Sequence, residues 1–486
     1  MKTKSLLSSA VPRRAPLALG AAILLQAGLA RADINLVETK DWTVFVNGRM
    51  QAFLNYNEGG GLPKSPVDAN GNAVSLLGGG DDSPVALEEG QAADKVAGEI
   101  QDLRIRTGFV GNVLGFGFKN RLTVDTEITG YTAVTTYIDS TNRRKYLAIQ
   151  PDWRESYFKI AGPWGSVVAG RTLVLFSRGA TEITYLYGYK YGLGWVGNVS
   201  SLSSSGPGAG HVGFGILGNG FGAGIAYATP DIFGAQLTVG LYDANNIPGS
   251  GSLERTQWPR GEGELTYERK IGNSAMFKLF ANGAWQRIYE RSGAGNQTIS
   301  GFGYGGRVEL GPIRLGLAGH QGKGIGVNFA LEPNNSGWHP DLKTFREVDG
   351  YSAHLQIVPS NKFDLMAAAG ITRVHRLTED VYDTRDTDLD DRDGDGFADA
   401  NPTAAATPVQ DDDGTPGVPD SVGFVPMKHQ IGLSAGATYH ISPNLHLALE
   451  YFRAMFKWHT PVPYVAGADG EEQNFNVVNL GVTYDF

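Results

Sequence analysis

Alternation with a period of two recurs along this chain from Trp42 to its last residue, and no other feature constrains the fold as much. In the closing stretch FNVVNLGVTYDF, Val478, Leu480, Val482, Tyr484 and Phe486 share one face; Asn479, Gly481, Thr483 and Asp485 share the other with Val477. Such a period marks a β-strand whose two sides meet different surroundings. In WTVFVNGRMQAFLNY, Val44, Val46, Gly48, Met50, Ala52 and Leu54 oppose Thr43, Asn47, Arg49 and Gln51, with Phe45 and Phe53 on the polar side. LRIRTGF sets Leu103, Ile105, Thr107 and Phe109 against Arg104 and Arg106. FGFKNRLTVDTEI sets Phe116, Phe118, Leu122 and Val124 against Lys119, Arg121, Thr123 and Asp125. HQIGLSAGATYHI sets Ile431, Leu433, Ala435, Ala437 and Tyr439 against Gln430, Ser434, Thr438 and His440. A soluble sandwich would turn the charged faces outward, and one strand alone does not decide against that.

Link lengths decide it. Short links fall at GNVLG (111–115), GPWG (162–165), TPDIFG (229–234), GNS (272–274), GP (311–312), PSN (359–361) and SPN (442–444). Long ones fall between them, at 57–98, 129–153, 174–219, 243–259, 290–298, 322–347, 377–426 and 459–472. A compact soluble domain rarely carries so many long loops. A membrane barrel has this asymmetry, with tight periplasmic turns and long outer loops. A strand in lipid must have its backbone polar groups paired, which only closure provides. The expectation is all-β: a transmembrane antiparallel β-barrel of about sixteen strands, its last strand paired with its first. Tyr484 and Phe486 then belong to an interfacial aromatic girdle.

The chain start agrees. Residues 1–32 carry Lys2, Lys4, Arg13 and Arg14, an apolar run, and Ala30-Arg31-Ala32. This is the pattern of a secretory signal peptide cut before Asp33, leaving residues 33–486 as one barrel unit. No later segment is a helical membrane anchor, and with no cysteine there is no disulfide framework. The expected location is the outer membrane of a Gram-negative-type bacterium.

Charge is unevenly spread. The chain is −9 overall, yet residues 377–426 hold fourteen acidic residues against Arg385 and Arg392. Within them DRDGDGFADANP puts Asp391, Asp393 and Asp395 at alternate positions, then Gly396 and Asp399. These match positions 1, 3, 5, 6 and 9 of a calcium loop, with the Phe397 peptide oxygen at 7. Pro402 stands where an EF-hand has its bidentate Glu, so another acid, from 411–413, would have to substitute. Ca²⁺ in the 388–402 segment is the one cofactor expected. The pattern D-x-D-G-x-x-D also resembles a thrombospondin type 3 repeat.

Five stretches resemble a known family, the general trimeric porins of bacterial outer membranes. VNGRMQA is similar to the first-strand motif, LRIRTGFVGNVLGFGFKNRL to the second hairpin, and ESYFKIAGPWGSVVAGR to the strands before the constriction loop. YATPDIFGAQLTVGLYDAN resembles the hairpin after that loop, and the strand ending in Phe486 resembles the signal read by the barrel-insertion machinery. The resemblance implies a homotrimer of water-filled pores, each narrowed by a third loop, here 174–219, folded back inside. It implies outer-membrane lipid and lipopolysaccharide as surroundings; nucleic acid is not among the partners. It carries a basic pore-wall cluster onto Arg49, Arg106 and Arg171. Alternation independently puts Arg49, Arg104, Arg106, Lys119 and Arg121 on the polar side, but sets Arg171 with Val167 and Ala169 unless Gly170 forms a bulge. The family's acidic constriction segment is missing. Glu182 is the only acid in the loop, against Arg178 and Lys190, which leans the pore toward anions.

No nucleophile motif of the G-x-S-x-G kind stands out from the strand pattern, nor does an H-E-x-x-H signature, so an enzyme is not expected. The rival reading is a structural or adhesive barrel with a closed lumen. Its sign would be apolar side chains filling the interior, whereas the polar faces above are charged or small.

Overall fold

A computed structural model describes residues 33–60, 75–77, 99–108, 111–136, 138, 152–183, 211–244, 258–272, 275–288, 296–331, 336–339, 344–377, 424–459 and 472–486. Sixteen antiparallel strand positions close into a barrel. The chain enters through β1 (Ile34–Glu38) and β2 (Trp42–Gly60), adds the short β3 (Ser75–Leu77), and returns through β4 (Glu99–Arg106) and β5 (Asn112–Arg121). Next come β6 (Glu127–Thr136), β7 (Asp152–Gly162), β8 (Gly165–Leu173), helix α1 (Arg178–Ile183), β9 (Phe221–Ala228), β10 (Ala235–Tyr242) and β11 (Arg260–Ile271). They are followed by β12 (Ala275–Ile288), β13 (Gln297–Leu310), β14 (Ile313–Lys323) and a loop hairpin of β15 (Trp338–His339) and β16 (Thr344–Phe345). The last wall is β17 (Glu347–Ser360), β18 (Phe363–Val374), β19 (Phe424–His440), β20 (Leu445–Trp458) and β21 (Glu472–Asp485).

Two wall positions are shared by two chain segments each. β21 pairs with β2 from Asp485 opposite Arg49 to Phe475 opposite Gly59, and this seam closes the barrel. Phe486 and Gly48 exchange backbone hydrogen bonds of 2.6 and 3.0 Å. β1 then continues along the same edge of β2, with Ile34 opposite Val46. On the other edge of β2, β4 and β5 lie end to end: Arg106 faces Phe53 and Val113 faces Arg49.

That second arrangement corrects the expected turn at 111–115. Six residues separate Arg106 from Val113, while three separate their partners, so the chain bulges and runs on in the same direction. Gly111 supplies the left-handed conformation, φ 80°, that the bulge needs. Reversal comes later, at 122–126, where Leu122 N–H and Thr123 N–H both donate to the Thr126 carbonyl at 2.9 and 3.2 Å. The next strand is therefore β6, and the long link begins after Thr136 instead of at 129. Moving one turn along the chain leaves the strand count unchanged.

The alternation holds in the wall. Met50, Leu54, Val478, Leu480, Val482 and Tyr484 are exposed on the outer surface, as are Leu279, Leu317 and Leu449. Asn47, Arg49, Gln51, Asn55, Asn479, Thr483 and Asp485 are buried on the inner one. An outward apolar belt around a polar interior is the inverse of a soluble protein's arrangement. The interior is not wholly polar, however. The largest apolar cluster lies inside the barrel, where Phe53, Phe452, Phe456, Trp458, Phe475 and Val477 of the wall meet Phe176, Phe214, Leu217, Ile325 and Val327 of two infolded loops. The expectation of a charged or small lumen lining fails on this side. Alternation identifies a face but not what a loop will lay against it.

Candidate pore constriction

The loop after β8 enters the barrel and is fixed at both described ends. Its first turn starts at Ser177, which takes a left-handed φ of 67° while its hydroxyl donates to the Leu217 carbonyl at 2.6 Å. α1 then rests on β12, β13 and β14. These are half-way round the sixteen positions from β2 and β4/β5. Close packing there depends on small residues: a Cβ on Gly179 would overlap the Phe280 ring, and one on Gly301 or Gly305 would crowd Phe176 or Phe280.

Charge locks this end. Glu262 accepts from the Leu175 and Phe176 backbone N–H groups at 2.7 and 2.8 Å and pairs with Arg260 at 2.6 Å. Arg178 pairs with Glu264, whose side chain is 1% exposed, and lies 3.7 Å from Glu182. Glu182 is also held by Lys278 at 2.8 Å, and its carbonyl accepts from Arg307. Burial by itself would loosen the Arg178 proton; Glu264 and Glu182 outweigh that and raise its pKa above the ordinary value, so the guanidinium stays charged.

The loop's far end, residues 211–219, is seated against the next part of the inner wall, from β17 to β20. Gly350, Gly370 and Gly432 form an inward row on β17, β18 and β19; the 214–215 backbone lies on the first two and the Phe214 side chain on the third. Phe214 stands edge-on to Phe452 and Phe456, at centroid distances of 5.1 and 5.7 Å. Gly215 N–H donates to Thr372 at 2.9 Å, and His211 Nε2 lies 3.0 Å from Glu450. The loop after β14 joins in, with Asn328 bound to Gln430 at 2.9 Å and the Gly218 N–H donating to the Asn328 carbonyl at 2.8 Å.

The residues expected to line a pore are distributed unevenly. Arg49 and Arg106 lie on the inner wall of β2 and β4, both buried. Arg49 is not a bare charge, because Asp485 holds its Nε at 2.6 Å. Lys119 faces inward over the Phe45 ring and pairs with Asp33 at 3.1 Å. Arg121 is exposed at the turn end of β5, opposite Glu127. Arg104 stands opposite Asn55 in the register; its side chain lies outside the described residues. Glu182 does not project toward the arginines across the lumen but is tied into the wall by Lys278 and Arg178.

Arg171 is the clear correction. The ladder runs without a slip through Ser156–Arg171, Tyr157–Gly170 and Phe158–Ala169, so no bulge re-aims the side chain. Ala169 and Arg171 pair with Ile225 and Ala223, the outward residues of β9, and Arg171 is exposed outside the barrel. Sequence reading also missed Arg260, Glu262 and Glu264. The signal was available: R-G-E-G-E puts three charges on one face of a strand and two glycines on the other.

Partly exposed polar side chains remain on the inner wall elsewhere. Glu155 and Lys159 of β7 face inward and are only half-buried. A cavity of about 30 Å³ against Arg178 is lined by Val168, Leu175, Ala226 and Tyr242 as well as Lys159, Gln236 and Thr238.

No family model matches the chain, and no curated protein matches its sequence. Solved structures do match. The outer membrane channel DcaP of Acinetobacter baumannii aligns with a TM-score of 0.58 at 12% identity, over 93% of this chain and all of that one. An anion-selective porin from Comamonas acidovorans aligns with a TM-score of 0.50 at 12% identity, over 92% and 100%. The fold is that of the outer-membrane porins. Within the porin fold, this chain's inner wall carries its largest apolar cluster inside β17 to β2 and smaller ones beside β5–β7 and β9–β10, with polar residues such as Glu155, Lys159, Gln236 and Thr238 between them. The acidic segment with Asp391, Asp393, Asp395, Phe397 and Asp399 lies outside the described residues.

Proposed function

We propose that the protein is an outer-membrane diffusion channel for small hydrophilic solutes and ions, with a passage running along one side of the barrel. The observation that carries this is the pair Glu155 and Lys159 of β7, inward-facing and only half-buried, in a barrel entered by a loop whose two ends are fixed to the inner wall. A passage there runs beside Glu155 and Lys159 and continues along the inner wall past Arg49, Arg106 and Arg121 of β2, β4 and β5. A closed barrel is the second reading, and the apolar cluster favours it. Planar-bilayer recordings separate them: stepwise conductance is expected, and neither steps nor solute leakage from liposomes would establish a closed lumen. Replacing Arg49, Arg106 and Arg121 together with Ala should move the reversal potential toward cations. Loss of Arg49 also bares the Asp485 carboxylate, which adds to the shift. An unchanged potential would place all three away from the ion path.

The same reading includes a homotrimer whose contact covers β6 to β8. Thr132, Ser156 and Arg171 sit side by side on the outside of this wall. A lipid-facing arginine costs about 2–4 kcal/mol at mid-membrane, a penalty that a neighbouring copy removes. Export by residues 1–32, insertion directed by the strand ending in Phe486, and lipopolysaccharide around the remaining surface belong to this proposal. So does calcium at Asp391, Asp393, Asp395, Asp399 and the Phe397 carbonyl, which rests on spacing alone. One sample tests both. Sedimentation should give a trimer, and limited proteolysis in chelator should cut 377–426 faster than in calcium. A monomer, or equal cleavage, would refute the respective part.

A further inference from the structure

At the turn end of the barrel, His440 closes β19 and His446 opens β20, directly opposite each other in the register. Both face the lumen. The hairpin between them is fixed by Ile441 N–H donating to the Leu445 carbonyl at 2.9 Å. The two Nδ1 atoms are 2.6 Å apart, with the rings nearly perpendicular at 86°. His440 Nε2 lies at hydrogen-bond distance from Asp364, 3.0 Å, whereas His446 Nε2 lies 3.8 Å from Asp485, beyond a hydrogen bond. Those carboxylates are anchored in turn, Asp364 by Gln356 at 3.2 Å and Asp485 by Arg49 at 2.6 Å.

A carboxylate behind an imidazole keeps the proton on the near nitrogen and sends the other lone pair forward. Applied to His440, whose Nε2 is within hydrogen-bond reach of Asp364, this aims its Nδ1 lone pair at the Nδ1 of His446. Nitrogens at 2.6 Å need a proton or a metal cation shared between them. We propose that this pair is a binding site for a divalent transition-metal cation of the imidazole-preferring class, with Zn²⁺ as its probe. The carboxylate–histidine–metal arrangement is the usual outer shell of such a site. Two Zn–N bonds of about 2.1 Å at a tetrahedral angle need the nitrogens about 3.4 Å apart, which a rotation of the His440 ring provides. His440 is the more accessible ring, its side chain 18% exposed against 5% for His446. Among the described residues no third His, Asp or Glu completes a cage, so water or chloride fills the remaining positions and binding is reversible. A metal ion held there adds positive charge at one mouth of the lumen.

The test is calorimetric titration of Zn²⁺ into untagged, detergent-purified protein at pH 7.5, with excess Ca²⁺ present to occupy the acidic loop. It reads binding without conductance, so it stands apart from the channel reading. One Zn²⁺ per chain is expected, lost in His440→Gln and in His446→Gln. Asp364→Asn keeps both ligands and is expected to weaken binding about 10–100-fold by freeing the His440 ring. Binding should also fall away as the pH drops and protons compete for the same lone pairs. Equal heats from the parent and a His440→Gln/His446→Gln double variant of unchanged melting temperature would overturn the proposal and leave a shared proton between the rings.

Discussion

Replacing Arg178 with alanine is expected to unfasten the first end of the infolded loop and to cost the protein about 3–5 kcal/mol. Arg178 is the partner of Glu264, whose second oxygen is buried without a hydrogen-bond partner among the described residues. Removing the guanidinium leaves a carboxylate inside the protein with nothing to offset its desolvation, and breaking a buried pair from one side costs that much. Truncating both members, in Arg178→Met/Glu264→Leu, removes the stranded charge and should recover most of the loss. Denaturant melts of the two variants give the comparison, and single-channel recordings should show a wider pore for Arg178→Ala as α1 leaves β12 to β14. If the single variant melted with the parent, the pair would not be what holds the loop.

The second large effect is expected at Gly370. A Cβ there would overlap the Phe214 carbonyl oxygen, a backbone atom that cannot swing aside as a side chain can. Valine suits the strand itself, being β-branched, so the barrel should still assemble in Gly370→Val. The 211–216 segment should not seat. Overpacking of this kind costs about 1–3 kcal/mol, and withdrawing Phe214 from between Phe452 and Phe456 forfeits about 1.5–3 kcal/mol of buried side chain. The readout is faster proteolysis within 174–219 together with altered conductance. Phe214→Ala should move both in the same direction without the overlap. A Gly370→Val protein with the parent's cleavage pattern and conductance would show that the glycine row is not a seat for the loop.

Strand faces were legible from the sequence because period two reports a local environment. The outward set from Val478 to Phe486, and the inward set of Gln430, Ser434, Thr438 and His440, stand as the alternation places them. Arg171 shows the same rule from the other side: the alternation was right, and the analogy that pulled it inward was not. The pattern could not tell a bulge from a turn at 107–111, since glycine suits both and only the pairing of Arg106 and Val113 with one strand distinguishes them. Pairing partners were equally invisible. Arg49 and Asp485 were each assigned to a polar face, but they are 436 residues apart, and nothing local records that closure brings them to 2.6 Å. The infolded loops have no period at all, so their contacts with Phe452, Phe456 and Gln430 emerge only from the three-dimensional wall.

The shared position of β21 and β1 means that this barrel has no first or last strand in any physical sense. Phe486 exchanges hydrogen bonds with Gly48, and Ile34 faces Val46, so Asp33 would fall opposite the residue between them. The two chain segments meet as if cut from one continuous strand. A circularly permuted chain, with Phe486 joined to Asp33 and new ends opened in an outer loop, would trace the same sixteen positions. The order in which the strands are made would then be a matter of biosynthesis, separable by rearrangement from the order in which they stand.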